Sequence, residues 1–209
     1  MEAGQVSAEE AHVWRVDYTS SKMGMWVFLF TEVMLFGGLF LIYSVYRAVH
    51  PEEFHHAAQE LDVLLGTFNT LILLTSSLTM ALSISFIQRG NKRWSIYCLS
   101  ITILCGFGFL VNKYFEWGAK FSHGLYPSSP EMLLHPKGEI LFFSLYYTMT
   151  GLHGIHVLVG VAVLSWMLYY LYNEAIHQTD FIWLENSGLY WHLVDVIWIF
   201  LFPLFYLIA

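Results

Sequence analysis

The chain has 209 residues, 57% hydrophobic and 18% aromatic, with only 12% charged. A mean hydropathy of +0.56 places it in the membrane class and leaves room for about five spans rather than several soluble domains. A net charge of −7 carried with nine Lys and Arg argues against a nucleic-acid-binding surface.

Residues 1–22 form a polar N-terminal arm holding Glu2, Glu9, Glu10 and Asp17. They contain no apolar stretch, so no cleavable leader is expected. Residues 23–209 read as a five-helix transmembrane domain, an all-α polytopic membrane helix bundle. The first span, 23–46, is interrupted only by Glu32. Residues 51–62, PEEFHHAAQELD, make a polar, acidic connector with room for a short surface helix. The second span, 63–87, is rich in hydroxyls. Asn69, Ser76 and Ser83 form a heptad stripe suited to close packing with interhelical hydrogen bonds.

QRGNKR, 88–93, is a short basic turn before the third span, 94–118. That span carries Cys98 and Cys105, seven residues apart. They lie too far apart on one helix for a disulfide and read as small core residues. Residues 121–137 hold Pro127, Pro130 and Pro136 and form an irregular loop. The fourth span, 138–172, is long. A polar loop, 173–186, leads to the fifth span, 187–209, with Pro203 near its end. Tyr and Trp near span ends (Trp26, Tyr43, Trp94, Trp117, Tyr172, Trp183) fit interfacial belts. Arg15, Lys22, Arg89, Lys92 and Arg93 fall on one side, against Arg47, Lys120 and Lys137 on the other. This bias puts the N-terminus in the cytoplasm and the C-terminus on the opposite side.

An ionisable group at mid-bilayer costs roughly 2.5–3.5 kcal/mol on insertion scales, so each one needs a protein neighbour. Glu32 lies near mid-depth of the first span and is either protonated or paired; a helix-packing role and a proton-transfer or lipid-headgroup role both fit it. His153 and His156, in TGLHGIHVLVG, are three residues apart and share a helix face. Gly151, Gly154 and Gly160 let another helix approach them. Without further histidine boxes or a nearby cysteine, a metal or haem site is a poor fit. In the last span Glu185, His192 and Ile199 form one stripe, with Asp195 about 60° away. His192 and Asp195 can pair with each other or reach His153 or His156, which makes these four a candidate structural polar cluster. Lys113, Glu116 and Lys120 share one stripe at the end of the third span and read as an interfacial ion network with snorkelling lysines. No nucleophile elbow, phosphate loop or cysteine ligand set is present, so no catalytic residue and no metal ligand is assigned.

Four stretches, in this order and spacing, resemble subunit III of the haem-copper oxidases. They are MWVFLFTEVMLFGGLF around Glu32, KYFEW at Lys113–Trp117, TGLHGIHVLVG at Thr150–Gly160 and YWHLVDVIWIFLFPLFY at Tyr190–Tyr206. The resemblance covers essentially all five spans. It implies a non-catalytic subunit of a proton-pumping terminal oxidase in a bacterial plasma (inner) membrane. Such a subunit stabilises the catalytic subunit, supports proton uptake and organises bound phospholipid during aerobic electron transport. Glu32 would correspond to the family's buried, carbodiimide-reactive glutamate. Subunit I would be the main contact, with subunit II and small subunits as further partners. Haem and copper would sit in those partners and not in this chain.

Longer family members carry two extra helices before the Glu-bearing one. Here the arm, 1–22, stands in that place, so the lipid-holding cleft is complete only if another subunit supplies helices. Subunit III of a quinol oxidase and the accessory subunit of a nitric oxide reductase remain open on these residues. From another class comes a stand-alone proton or ion transporter built on Glu32 and the His/Asp cluster. The lack of inverted repeats and broken helices speaks against it.

Overall fold

The computed structural model describes residues 8–208 except 123, 125, 127, 128, 131, 175 and 177–180, and for residues 8–17 and 133 the backbone alone. Glu2 of the arm and Pro127 of the 121–137 loop lie outside the described residues. Among the described residues six α-helices follow one another: α1 Ala8–Val49, α2 Pro51–Gln59, α3 Val63–Gln88, α4 Lys92–Ser122, α5 Lys137–Tyr172 and α6 Ile182–Tyr206. Five of them are long and apolar enough to cross a membrane, α1 through its Tyr18–Val49 part. With their apolar composition, this makes the chain an integral membrane protein.

Two segments differ from the sequence reading. The backbone is helical from Ala8, so most of the polar arm continues into α1 without a break. Nothing in residues 8–22 stops a helix: there is neither proline nor glycine, and Glu9, Glu10, Arg15 and Lys22 are good helix formers. The 51–62 connector folds back on the bundle. Pro51 starts α2, where its fixed φ suits the first turn, and Phe54, Ala57 and Ala58 are buried. Asp62 then caps α3, accepting from the Leu64 and Leu65 amides at 2.9 and 3.1 Å.

The core lies among α3, α4, α5 and α6. The Asn69, Ser76, Ser83 stripe is fully buried and works as the heptad spacing predicts. Ser83 meets Ser95 at 3.0 Å, Thr79 meets Thr102 at 2.8 Å and Asn112 donates to Asn69 at 2.9 Å, all between α3 and α4. Trp191 of α6 forms the central wedge. Its Nε1 donates to Ser76 at 3.0 Å. Its ring lies against Gly106 of α4 and Gly160 of α5, where an added Cβ would stand 2.8 Å from ring carbons on both sides. Only glycine lets three helices close on one indole.

α1 is the peripheral helix. Leu29, Phe36 and Tyr43 are its buried positions, a seven-residue repeat that gives one narrow seam onto α5 and α6. Tyr43, expected in an interfacial belt, is instead completely buried, where its hydroxyl donates to the Leu204 carbonyl. Elsewhere on α1, Trp26, Phe30, Met34, Leu41 and Val45 are exposed and apolar.

Candidate functional site

On the α1 seam, Glu32 sits one turn from Leu29 and one turn from Phe36, turned toward α5. Its Oε2 is 2.8 Å from His156 Nε2. The other ring nitrogen, Nδ1, is 2.8 Å from the Leu152 carbonyl. A carbonyl only accepts, so Nδ1 carries a hydrogen and the tautomer is fixed. The proton between Glu32 and Nε2 therefore has two homes. It sits on the carboxyl facing a neutral imidazole, or on the imidazole facing a carboxylate. Phe36 stands edge-on to the imidazole at 5.3 Å, and Tyr190 donates to the His156 carbonyl at 3.1 Å. Both side chains keep a sliver of exposure, 14% and 15%. The arrangement holds one proton at mid-depth, at the edge of the bundle, between two helices.

The pairing corrects the expected cluster of His153, His156, His192 and Asp195. A step of three residues turns a helix by about 60° short of a full circle. That is enough to aim His156 at α1 and His153 into the core. His153 is fully buried, stacked on Trp198 at 5.3 Å and edge-on to Phe109 at 5.5 Å. Neither of its ring nitrogens has a hydrogen-bond partner. His192 turns to α3 and meets Ser77 Oγ at 2.7 Å. Asp195 is 2% exposed and lies beside the same Ser77. Glu185 faces α1 instead, paired with Lys22 and accepting from Tyr18 at 3.0 Å. The glycines divide likewise: Gly151 faces Trp117 and Gly160 faces Trp191, whereas Gly154 faces open space.

The third-span set is also rearranged. Lys113 does not snorkel; it is 7% exposed and points into the core. Its Nζ donates to Glu116 Oε2 at 3.0 Å and to the Tyr206 hydroxyl at 2.6 Å. It lies 4.8 Å from the centre of the Trp198 ring, a desolvated cation–π contact. Glu116 Oε1 accepts from Tyr146 at 2.7 Å and from Tyr206. Both charges are thus fully satisfied, which a buried pair requires. Lys120 leaves this group and donates to the Glu60 carbonyl at the end of α2, at 3.0 Å.

Sequence reasoning missed Tyr146, Trp198 and Tyr206. The available signal was spacing, since Tyr146 stands one heptad before His153. It also missed Glu139, whose oxygens lie 3.0 Å from His56 Nδ1 and 2.6 Å from His135 Nδ1. Among the described residues no group of three or more His, Cys, Asp or Glu is placed to hold a metal ion.

Comparison with known proteins is consistent along the chain. The profile of the family described as Cytochrome c oxidase subunit III matches residues 5–209. A "Cytochrome c oxidase subunit 3" from Thermostichus vulcanus is 32% identical over 90% of this chain and 87% of its own length. A "Cytochrome bo(3) ubiquinol oxidase subunit 3" from Pseudomonas putida is 29% identical over 90% of this chain and 85% of its own. A "Heme-copper oxidase subunit I+III" from Aeropyrum pernix is 29% identical over 93% of this chain, which spans 23% of that longer protein.

Proposed function

The chain belongs to the cytochrome c oxidase subunit III family, and on that premise we propose that it is the non-catalytic subunit III of a proton-pumping haem-copper oxidase fed by cytochrome c. Its part is to stabilise the catalytic subunit and to support proton supply and lipid order beside it. The observation that carries this is the Glu32–His156 pair. It offers a two-home proton site at mid-depth, on the helix whose outer face is exposed and apolar.

Haem and copper belong to the partner subunits in this reading. Support comes from the histidines: His156 has both ring nitrogens engaged, and His153 is enclosed by Trp198 and Phe109. Subunit I is the main neighbour, with subunit II and small subunits beyond it. The Aeropyrum pernix relative, named subunit I+III, supports that placement. Bound phospholipid fits a groove of about 390 Å³ between α1, α5 and α6, where Phe28, Val159, Trp183 and Tyr190 stand beside Ser21 and Asn186. Lys22, Arg89, Lys92 and Arg93 favour the cytoplasmic side of a bacterial plasma membrane for the N-terminal end.

Purification in mild detergent tests the proposal. A haem-copper catalytic subunit should co-purify, and reduced cytochrome c should drive oxygen consumption by the complex. Consumption driven only by a quinol would move the chain to the quinol-oxidase reading, which the Pseudomonas putida relative favours. Absence of any haem-copper subunit, with proton flux from the isolated chain in liposomes, would favour a transporter.

A further inference from the structure

Where α2 folds back, the end of the bundle holds an open-mouthed cavity of about 540 Å³. This is many times the ~30 Å³ that one water occupies in the liquid. Its wall mixes apolar side chains, Leu65, Phe115, Ala119 and Phe143, with a polar set: His56 of α2, Glu60 and Asp62 of the link to α3, Lys120 and Glu116 of α4, and Glu139 of α5. The outer groups are engaged with one another. Glu139 is bridged by His56 and His135, Asp62 caps α3, and Lys120 holds the Glu60 carbonyl. Glu116 stands one turn deeper than Lys120, about 6 Å further along α4. It both lines the cavity and belongs to the buried group with Lys113, Tyr146 and Tyr206.

We propose that this cavity is an aqueous inlet, covered by α2, through which the buried Lys113–Glu116 pair exchanges protons with the compartment on the α2 side. The step is simple. Hydronium in the inlet gives its proton to a Glu116 oxygen, an O–H bond forms, and water is left behind. Lys113 keeps its ammonium proton count. It also keeps the Tyr206 and Tyr146 hydroxyls as acceptors, at 2.6 and 3.4 Å, and the Trp198 face. A neutral carboxyl leaves the ammonium held only by these hydroxyls and the ring face, so the protonated state is short-lived and the reverse step returns the proton to water. Four carboxylates against the single Lys120 ammonium on the wall favour cations over anions inside the inlet. This site is built from α4, α5 and α6 and is separate from Glu32 and His156. Its test does not depend on which electron donor feeds the complex.

The test is thiol accessibility in the whole complex, oriented in vesicles, with Cys98 and Cys105 replaced by alanine. Leu65→Cys places a thiol on the inlet wall with the ion pair intact. Lys113→Met with Glu116→Cys places one at its floor and leaves no buried charge behind. A positively charged, membrane-impermeant methanethiosulfonate added on the α2 side should modify both at least tenfold faster than the same reagent added on the other side. It should also outpace its negatively charged analogue by a similar factor. Leu104→Cys, exposed and apolar on the middle of α4, should stay unmodified. If the floor thiol resists while the wall thiol reacts, Glu116 has no aqueous access and the proposal fails. Reaction of neither, or equal rates from both sides, also overturns it.

Discussion

The Lys113 ammonium and the Tyr206 hydroxyl are 2.6 Å apart across the α4–α6 interface, and the Glu116 carboxylate takes a hydrogen bond from each of them. The three groups lock α4 to α6 with opposite charges that are buried to within a few per cent of their surface, 7% for Lys113 and 5% for Glu116. The consequence for stability is asymmetric.

Removing one charge should therefore cost far more than removing both. Lys113→Met leaves a carboxylate among Tyr146, Tyr206 and Trp198 and should destabilise the bundle by about 3–5 kcal/mol, as does Glu116→Gln with its stranded ammonium. The double variant should recover most of that loss. Unfolding in detergent, followed by tryptophan fluorescence, measures all three. Additive losses in the double variant would mean that the charges do not act as a pair.

Asp195 predicts the opposite sign. A buried carboxyl with only Ser77 beside it gains little to offset its desolvation cost. Asp195→Asn and Asp195→Leu should be neutral or stabilising, by up to about 1–3 kcal/mol. His192→Ala, which cuts the contact with Ser77, should lower stability by about 0.6–2 kcal/mol. The same unfolding assay ranks them. A large loss on Asp195→Leu would show that its contact with Ser77 helps hold α6 to α3.

Tight and open glycines on one helix should also part company. At Gly160 a methyl would meet Trp191 at 2.8 Å, and that indole cannot retreat because Gly106 lies against its other edge. Gly160→Ala should cost about 1–3 kcal/mol through overpacking. Gly154, six residues earlier with nothing within 4 Å, should accept alanine without loss and gain up to about 1 kcal/mol of helix propensity. Thermal unfolding of the two variants side by side is sufficient.

Periodicity made the five spans legible, and it made the α3–α4 seam legible as well, because Asn69, Ser76 and Ser83 repeat on one face. It could not say which neighbour a polar edge meets. His153 and His156 share a face on a helical wheel, yet the bundle puts the core on one side of that face and α1 on the other. Glu139 illustrates a second limit. Its partners His56 and His135 come from a connector and a proline-rich loop, whose positions depend on how α2 folds back, and no spacing rule encodes that. Lys113 illustrates a third. A lysine near a span end ordinarily reaches for the interface, and only the presence of Trp198 and two tyrosines on other helices reverses its direction.

The remaining prediction concerns Glu32 and His156. The contact lies at the rim of the bundle, with 14% and 15% exposure, and it joins the peripheral α1 to α5. Interhelical hydrogen bonds in membranes contribute about 0.6 kcal/mol on average and about 2 at most. Neither single alanine variant should therefore prevent assembly with the partner subunits. A double-mutant cycle of Glu32→Ala and His156→Ala should give a coupling of about 0.6–2 kcal/mol. Activity offers a second readout. If the pair holds a proton for the oxidase, Glu32→Ala should leave initial turnover near normal and shorten the time over which the complex stays active under sustained turnover. Glu32→Gln keeps the size and one hydrogen bond but cannot give up a proton to His156, so it should resemble alanine in turnover lifetime while resembling wild type in stability. A wild-type turnover lifetime in both variants would reduce Glu32 to a helix-packing group.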